Sequence, residues 1–89
     1  MSNYVRRVGV CRWERYQDDL GTECARVVVR GFVRDVSEDE GAQRVEWTPL
    51  RDLAARYFDQ THAHRVAELA RRSIGGSEFV RVFRARLPV

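Results

Sequence analysis

The residues of this chain that could do chemistry are two cysteines, two histidines and a few short carboxylate clusters. In the hairpin register that the sequence predicts, Cys11 and Cys24 lie on the same face but about 13 Å apart along the strands, beyond the reach of a disulfide, so we predict two free thiols. They also lack the Cys-x-x-Cys spacing of a zinc site. His62 and His64 are two residues apart, and on a helix that spacing turns the two rings about 200° away from each other. On a helix they cannot chelate one ion together, and at an extended helix start they lack an acidic third ligand close in sequence, so we predict no metal site and no cofactor.

The carboxylates fall in two polar segments. Asp18 and Asp19 belong to a turn signal, where such side chains serve turn geometry and solvation. The second segment is an acidic loop that contains Glu38, Asp39 and Glu40. It lacks the spacing of a defined calcium-binding loop, and the alternatives for it are a weak contact with a divalent cation and a contact with a basic partner. The serines have no nucleophile motif around them, and no catalytic residue is predicted.

Arginines interleaved with aromatic residues form the other pattern that could bind something. If the first turn centres on Asp19-Leu20, one face of the resulting hairpin is a candidate binding face. It would carry Arg7, Trp13, Arg26, Arg30, Phe32 and Arg34. Arginines that track phosphates beside rings that stack on bases are the chemistry of single-stranded nucleic-acid binding. The alternatives are a contact with a protein partner, or a solvated face on which arginines cover Trp13.

The charge balance limits the class of partner. The chain has 89 residues and a formal net charge of +3, and its 16 basic residues are all arginine. A lysine-free composition is typical of a GC-rich genome, so we expect a bacterial source. The net charge falls short of the dense basic footprint of most small DNA-binding proteins. No apolar run is long enough for a signal peptide or a membrane span, and we expect a cytoplasmic location and no membrane partner.

The elements that must position these residues follow from hydrophobic alternation and turn signals. Strands are predicted over residues 4–16, 23–36, 43–47 and 78–87, with the first two joined as a long antiparallel hairpin. Thr48-Pro49 predicts the start of a helix. Its apolar face inverts beyond Thr61, so we expect a break near Asp59–Thr61, with Asp59 or Thr61 capping a second helix.

These elements predict one small α+β domain over residues 1–89. Their order is β-β-β-α-α-β, which favours a mainly antiparallel sheet of three to four strands with helices packed on one face. On the hairpin, the expected core side is Val8, Val10, Ala25, Val27, Val29 and Val33. The helical residues expected to cover it are Leu50, Leu53, Tyr57, Phe58, Val66 and Leu69.

The segment Val45-Glu46-Trp47-Thr48-Pro49-Leu50, with Leu53 following, resembles the junction between a strand and the last helix of Nudix hydrolases. The resemblance is confined to this junction. The glutamate-rich metal-binding helix that defines the family has no counterpart in the sequence, so the resemblance implies no activity here.

The function that these patterns favour is a small non-enzymatic binding or regulatory module, acting through a protein partner or as a homo-oligomer. The reasons are the small size, the missing catalytic constellation, the inverted helical faces and the segregation of charge along the chain. Residues 1–34 and 60–89 are net basic, whereas residues 35–59 are net acidic. The alternative is a single-stranded nucleic-acid-binding module. A third hypothesis is a small enzyme or ligand carrier whose site forms between subunits and recruits Tyr57, His62 or His64.

Overall fold

The computed structural model describes residues 3–87, which form four β-strands, one 3-10 turn and one α-helix. The elements are β1 (Tyr4–Gln17), β2 (Glu23–Asp39), β3 (Ala42–Thr48), the 3-10 turn (Arg51–Leu53), α1 (Gln60–Arg71) and β4 (Glu78–Arg86). The strands pair in one antiparallel sheet of order β3-β2-β1-β4. The helix α1 packs on one face of this sheet. The predicted α+β fold with a mainly antiparallel sheet is confirmed.

Asp18 sets the turn between β1 and β2. Its Oδ1 accepts hydrogen bonds from the backbone N–H groups of Leu20 and Thr22, each at 2.9 Å. Gly21 takes a φ of 78°, which a glycine adopts without a steric penalty. The turn therefore has five residues, 18–22, and centres on Leu20. The predicted centre at Asp19-Leu20 is wrong, because the turn has an odd number of residues.

A β-bulge at Arg30 changes which side chains of β2 share a face. On the turn side of the bulge Trp13 pairs with Val27, and beyond it Gly9 pairs with Phe32. A bulge adds one unpaired residue and so reverses the inside-outside alternation of its strand. Val27 and Phe32 consequently lie on the same face, although one has an odd number and the other an even number.

The odd turn and the bulge overturn two expectations about the hairpin. Trp13 faces Val27 and not Arg26, so Arg26 lies on the other face of the sheet. Three of the six expected core residues are buried on the α1 side, namely Val8, Val10 and Val33. The other three expected core residues, Ala25, Val27 and Val29, pair with Arg15, Trp13 and Cys11 on the face away from α1.

The helix α1 begins where the sequence predicts a break. Asp59 is its N-cap, and its side chain accepts a hydrogen bond from the Thr61 backbone N–H at 3.0 Å. The buried side of the helix is mostly alanine, and it packs against the core valines of the sheet. Its members are Ala63, Val66, Ala67 and Ala70. Small side chains let the helix approach the sheet closely, and Leu69 at its margin is half-buried.

The helix predicted from Pro49 to the break is wrong. Only Arg51–Leu53 form a 3-10 turn, after which Ala54 is extended. The next residues fill the gap where β1 and β2 diverge: Ala55 N donates to Val33 O at 2.9 Å, and Arg6 and Tyr57 exchange two backbone hydrogen bonds of 2.8 Å. Tyr57 is thereby buried as expected. Because this segment is not an α-helix, the helical spacing of its apolar residues does not bring them to one buried side. Leu50, Leu53 and Phe58 are exposed, although they were expected in the core.

The hairpin extends beyond the rest of the sheet. β4 pairs with β1 only as far as Arg12, and β3 pairs with β2 only from Phe32. Residues 13–27 therefore form a two-stranded ribbon, which we call the β-arm. The β-arm makes the chain elongated: its radius of gyration is 15.2 Å, whereas about 12 Å is typical of a compact chain of this length. Within residues 3–87, no helix is long and apolar enough to cross a membrane.

Candidate functional site

The candidate site is the face of the sheet opposite α1. We call it the open face, because no α-helix and no second sheet of the described residues packs across it. Its side chains, placed by the strand registers, are Val5, Arg7, Gly9, Cys11, Trp13, Arg15, Ala25, Val27, Val29, Phe32, Phe79, Arg81, Phe83 and Ala85. Most of them are apolar. Antiparallel sheets usually pack one face on the core and solvate the other with polar residues, so this composition is unusual for an uncovered face.

Two phenylalanine rings meet on the open face across β1, because the residue between them is Gly9. Phe32 is the cross-strand partner of Gly9 on one side, and Phe83 lies on the other side opposite Arg7. The ring centroids are 5.9 Å apart in an edge-to-face arrangement. A Cβ atom at Gly9 would lie 2.6 Å from the Phe83 ring. The Arg81 guanidinium lies over the Phe83 ring, 5.7 Å from its centroid.

Trp13 is the most prominent side chain of the open face. It is 64% exposed, and its ring centroid lies 6.2 Å from that of Phe79. Cys11, between its cross-strand neighbours Phe79 and Val29, is fully buried. Burial raises the pKa of the Cys11 thiol, and the smaller opposing effect comes from Arg81. Burial thus favours the neutral thiol, and Cys11 packs as a small apolar side chain within this surface.

The two faces of the β-arm differ. The side that continues the open face is apolar next to the body of the sheet, at Trp13, Ala25 and Val27, and carries Arg15 and Glu23 nearer the tip. We call this side the apolar face of the β-arm. On the reverse face, Arg26 Nη2 donates to Glu14 Oε1 at 2.8 Å, and its guanidinium lies 4.9 Å from the Tyr16 centroid. The hydrogen bond and charge of Arg26 lower the pKa of Glu14. On this charged face, Arg26 and Glu14 pair with each other. On the apolar face, nothing in residues 3–87 packs over the side chains.

A cavity of about 270 Å³ lies at the end of the open face away from the β-arm. It is lined by Arg7, Val29, Phe32, Arg51, Phe83, Arg84 and Ala85. The Arg7 Nε atom is buried and has no hydrogen-bond partner in residues 3–87. Burial lowers the pKa of Arg7, and the nearby charges of Arg51 and Arg56 lower it further, against an opposing effect of Asp52. An anionic group in this cavity would accept a hydrogen bond from Arg7 Nε, and its charge would offset the repulsion that Arg51 and Arg56 exert on Arg7.

The structure separates the six residues of the predicted binding face. Arg7, Trp13 and Phe32 share the open face, and Arg26 lies on the opposite face. Arg30 and Arg34 are the unpaired residues of the two bulges in β2. Arg30 borders a cleft on the α1 side together with Val10 and Trp47. Three of the six are therefore in position to act together.

The acidic loop is shorter in the structure than the sequence indicates. Glu38 and Asp39 belong to the end of β2, and Glu40 and Gly41 form a two-residue turn with φ values of 50° and 80°. Two positive φ values are typical of the type I′ turn that joins hairpin strands. Asp39 and Glu40 border a surface hollow with Ser73, just beyond the end of α1. The acidic loop and the open face are therefore separate surfaces.

The remaining chemistry-bearing residues do not gather into one site. Tyr57 is buried with its ring centroid 4.9 Å from that of His62, while His64 is exposed. Burial raises the pKa of Tyr57, and the charge of Asp35 raises it further. Residues 3–87 contain no group of three potential metal ligands. A site shared between subunits that recruits these residues stays a prediction.

The cysteines are both free, as predicted. Cys11 pairs with Val29 and Cys24 with Tyr16, so the two thiols lie on opposite faces of the sheet. Their predicted placement on one face is wrong, because the five-residue turn displaces the predicted register by one residue.

Sequence reasoning missed the contribution of β4 to the open face. Phe79, Arg81 and Phe83 alternate with the core side chains Val80 and Val82, and this strict period of two was a visible signal in the sequence. It places two rings and a cation on one face of an edge strand. Gly9 was missed because nothing in its local sequence shows that two rings meet above it.

No family model, no curated protein and no solved structure matches this chain. The geometry of its own surface is therefore the basis for a functional proposal.

Proposed function

We propose that this chain is a small non-enzymatic binding module that contacts another polypeptide, a different protein or a second copy, through the open face. The observation that carries the proposal is Trp13, which is 64% exposed. It lies on a strip of mostly apolar side chains that also includes Arg15 and Arg81. Tryptophan within an apolar patch is the side chain most typical of the centre of a protein interface. The strip runs from Phe83 past Phe79 and Trp13 to Val27 on the β-arm.

The β-arm supports the same proposal. A two-stranded hairpin is marginally stable in water when nothing packs on it. Here the arm has an apolar face with no cover among residues 3–87 and a charged face in which Arg26 and Glu14 already pair. A polypeptide that packs on the apolar face would supply the missing layer and stabilise the arm.

The test compares two exposed aromatic residues of one strand that lie on opposite faces. The chain, its Trp13→Arg variant and its Tyr16→Arg variant are analysed for self-association by light scattering, and each is immobilised to capture proteins from a cell extract. We expect Trp13→Arg to lose polypeptide contacts, whether to a second copy or to a captured protein, and Tyr16→Arg to keep them. Equal behaviour of the two variants would overturn the proposal.

A single-stranded nucleic-acid-binding function is the second candidate. The observation that favours it is the mixture of rings and cations on the open face, where Arg81 stacks near Phe83 beside the exposed Trp13. Rings of this kind stack on bases, and arginines contact phosphates. Arg26, which the sequence placed in this face, points away from it and is not part of the candidate interface.

This candidate is tested by titrating a mixed-sequence single-stranded oligonucleotide at two salt concentrations. If it is right, affinity falls steeply with salt, and Trp13→Ala and Arg81→Ala each weaken binding while Tyr16→Ala does not. Absence of binding at low salt would rule the nucleic-acid function out.

A further inference from the structure

We propose that the polypeptide on the open face is a second copy of this chain, related to the first by a two-fold axis beside Trp13. The tip of each β-arm then docks in the arginine-lined cavity of the other copy. This inference rests on the proposed function and names its partner. Two open faces pack against each other with their β1 strands antiparallel, and the contact is the same on both copies.

The tip and the cavity have opposite charge. Residues 17–24 contain Asp18, Asp19 and Glu23 and no arginine. The cavity is bordered by Arg7 and Arg51, and the Nε atom of Arg7 has no hydrogen-bond partner in residues 3–87. Asp18 is occupied with the backbone of its own turn, which leaves Asp19 and Glu23 as the carboxylates that can pair with these arginines.

The tip and the cavity also match in their apolar parts. Leu20 lies at the apex of the turn and is 90% exposed. The cavity is bounded by Phe32, Phe83 and Val29 between its arginines. Leu20 of one copy can therefore enter the apolar part of this cavity of about 270 Å³ in the other copy. The carboxylates of the tip then lie beside the arginines that border the cavity.

The spacing along β1 makes the contact reciprocal. Arg7 precedes Trp13 by six residues, and Asp19 follows it by six. At about 3.4 Å per strand residue, Arg7 lies roughly 20 Å from Trp13 on one side, and Gln17, the last residue of β1, lies roughly 14 Å from it on the other, with Asp19 following in the turn. A two-fold axis perpendicular to the strands beside Trp13 therefore brings the turn of each copy, with Asp19, to the region of Arg7 of the other. It also brings the two Trp13 side chains to the centre of the interface, where aromatic residues contribute most.

The size of the strip predicts a reversible dimer. It is about 40 Å long and two to three strands, about 10–14 Å, wide, which is roughly 400–550 Å² in projection on each copy. This lies at the low end of specific interfaces, which bury about 800 Å² of accessible surface on each partner. We therefore expect a dimer whose population rises with protein concentration. A nucleic acid fits the whole strip less well, because its phosphates would meet the three acidic residues of the tip.

The test exchanges charge between the tip and the cavity. Asp19→Arg and Arg51→Glu are both changes of exposed residues outside the core, so the fold is expected to tolerate them. In a dimer of either variant, both ends bring like charges together. In a mixed dimer of the two variants, one end carries the exchanged pair and the other carries the original pair. Solution mass is measured by light scattering across a concentration series for each variant and for their equimolar mixture.

We expect the unaltered chain to dimerise, each variant alone to associate at least about tenfold more weakly, and the mixture to regain association. The matched controls are Asp39→Arg at the acidic loop and Arg65→Glu on α1, which make the same charge changes away from the strip and should dimerise normally. A dimer that ignores Asp19→Arg would overturn the docking arrangement. A chain that is monomeric at all concentrations would overturn the inference that the partner is a second copy. The proposed function would still hold in that case if Trp13→Arg and Tyr16→Arg differ in protein capture.

Discussion

Gly9 shapes the open face by having no side chain. Phe32 and Phe83 come from strands on either side of β1 and reach each other only across the backbone of Gly9, 5.9 Å apart between centroids. The nearest Phe83 ring atom would be 2.6 Å from a Cβ at this position. The carbonyl oxygen of Gly31, at 3.3 Å, closes the space on the other side. The apolar floor of the arginine-lined cavity therefore depends on this glycine.

We predict that Gly9→Ala lowers the free energy of unfolding by about 1–3 kcal/mol, the usual effect of inserting a methyl group where no space exists. The Phe83 ring must move and lose its edge contact with Phe32. Urea denaturation measures the change. The control is Gly76→Ala, where a Cβ would meet no heavy atom within 4 Å, and its stability should stay close to that of the unaltered chain. Equal stabilities for the two variants would show that the rings repack without cost.

Among the elements, α1 depends on a few local contacts, because the small side chains of its buried side contribute little hydrophobic area. Three of the four buried residues are alanine. Its start is held by Asp59, whose carboxylate accepts the Thr61 N–H at 3.0 Å. The segment before it cannot extend the helix, because Tyr57 is hydrogen-bonded to Arg6 of β1 through its backbone.

We predict that Asp59→Ala lowers the free energy of unfolding by about 1 kcal/mol. The alanine cannot accept the hydrogen bond of the Thr61 N–H, which is then left without a partner in the first turn of the helix. Glu68→Ala removes an exposed carboxylate from the middle of the same helix and serves as the control. Thermal unfolding followed by circular dichroism compares the two. A loss of stability as large in Glu68→Ala would mean that net charge, and not the cap, is responsible.

For the whole molecule, the main feature is the contrast between the body of the sheet and the β-arm. In the body, β1 is paired with other segments on both sides and packed under α1. In the arm, residues 13–17 and 23–27 pair only with each other. The outer edges of the arm and its apolar face therefore face solvent in a single copy.

We predict that backbone amides paired within the β-arm exchange with solvent faster than paired amides of residues 5–11, because the arm can open without disrupting the core. Hydrogen exchange followed by NMR at low protein concentration tests this. In the proposed dimer, exchange in the arm slows as concentration rises, while the Trp13→Arg variant keeps fast exchange throughout. Arm amides as slow as those of the body in dilute solution would contradict the prediction.

The sequence by itself determined the elements that depend on local signals. The alternation of valine and charged residues placed all four strands within a few residues of their observed bounds. The inversion of the helical face predicted the break that Asp59 caps. These features follow from the backbone preferences and side-chain periods of short segments, which neighbouring residues alone determine.

Only the tertiary structure decided which side chains share a face. The five-residue turn at Leu20 and the bulge at Arg30 each displace the register by one residue, and a one-residue displacement moves every side chain of a strand to the other face. In the same way, residues 55–57 have a helical pattern but pair with β1 and β2. Backbone groups left unpaired in the gap between two diverging strands would cost more free energy than a short helix would contribute through its propensity. The gap itself exists only in the folded chain.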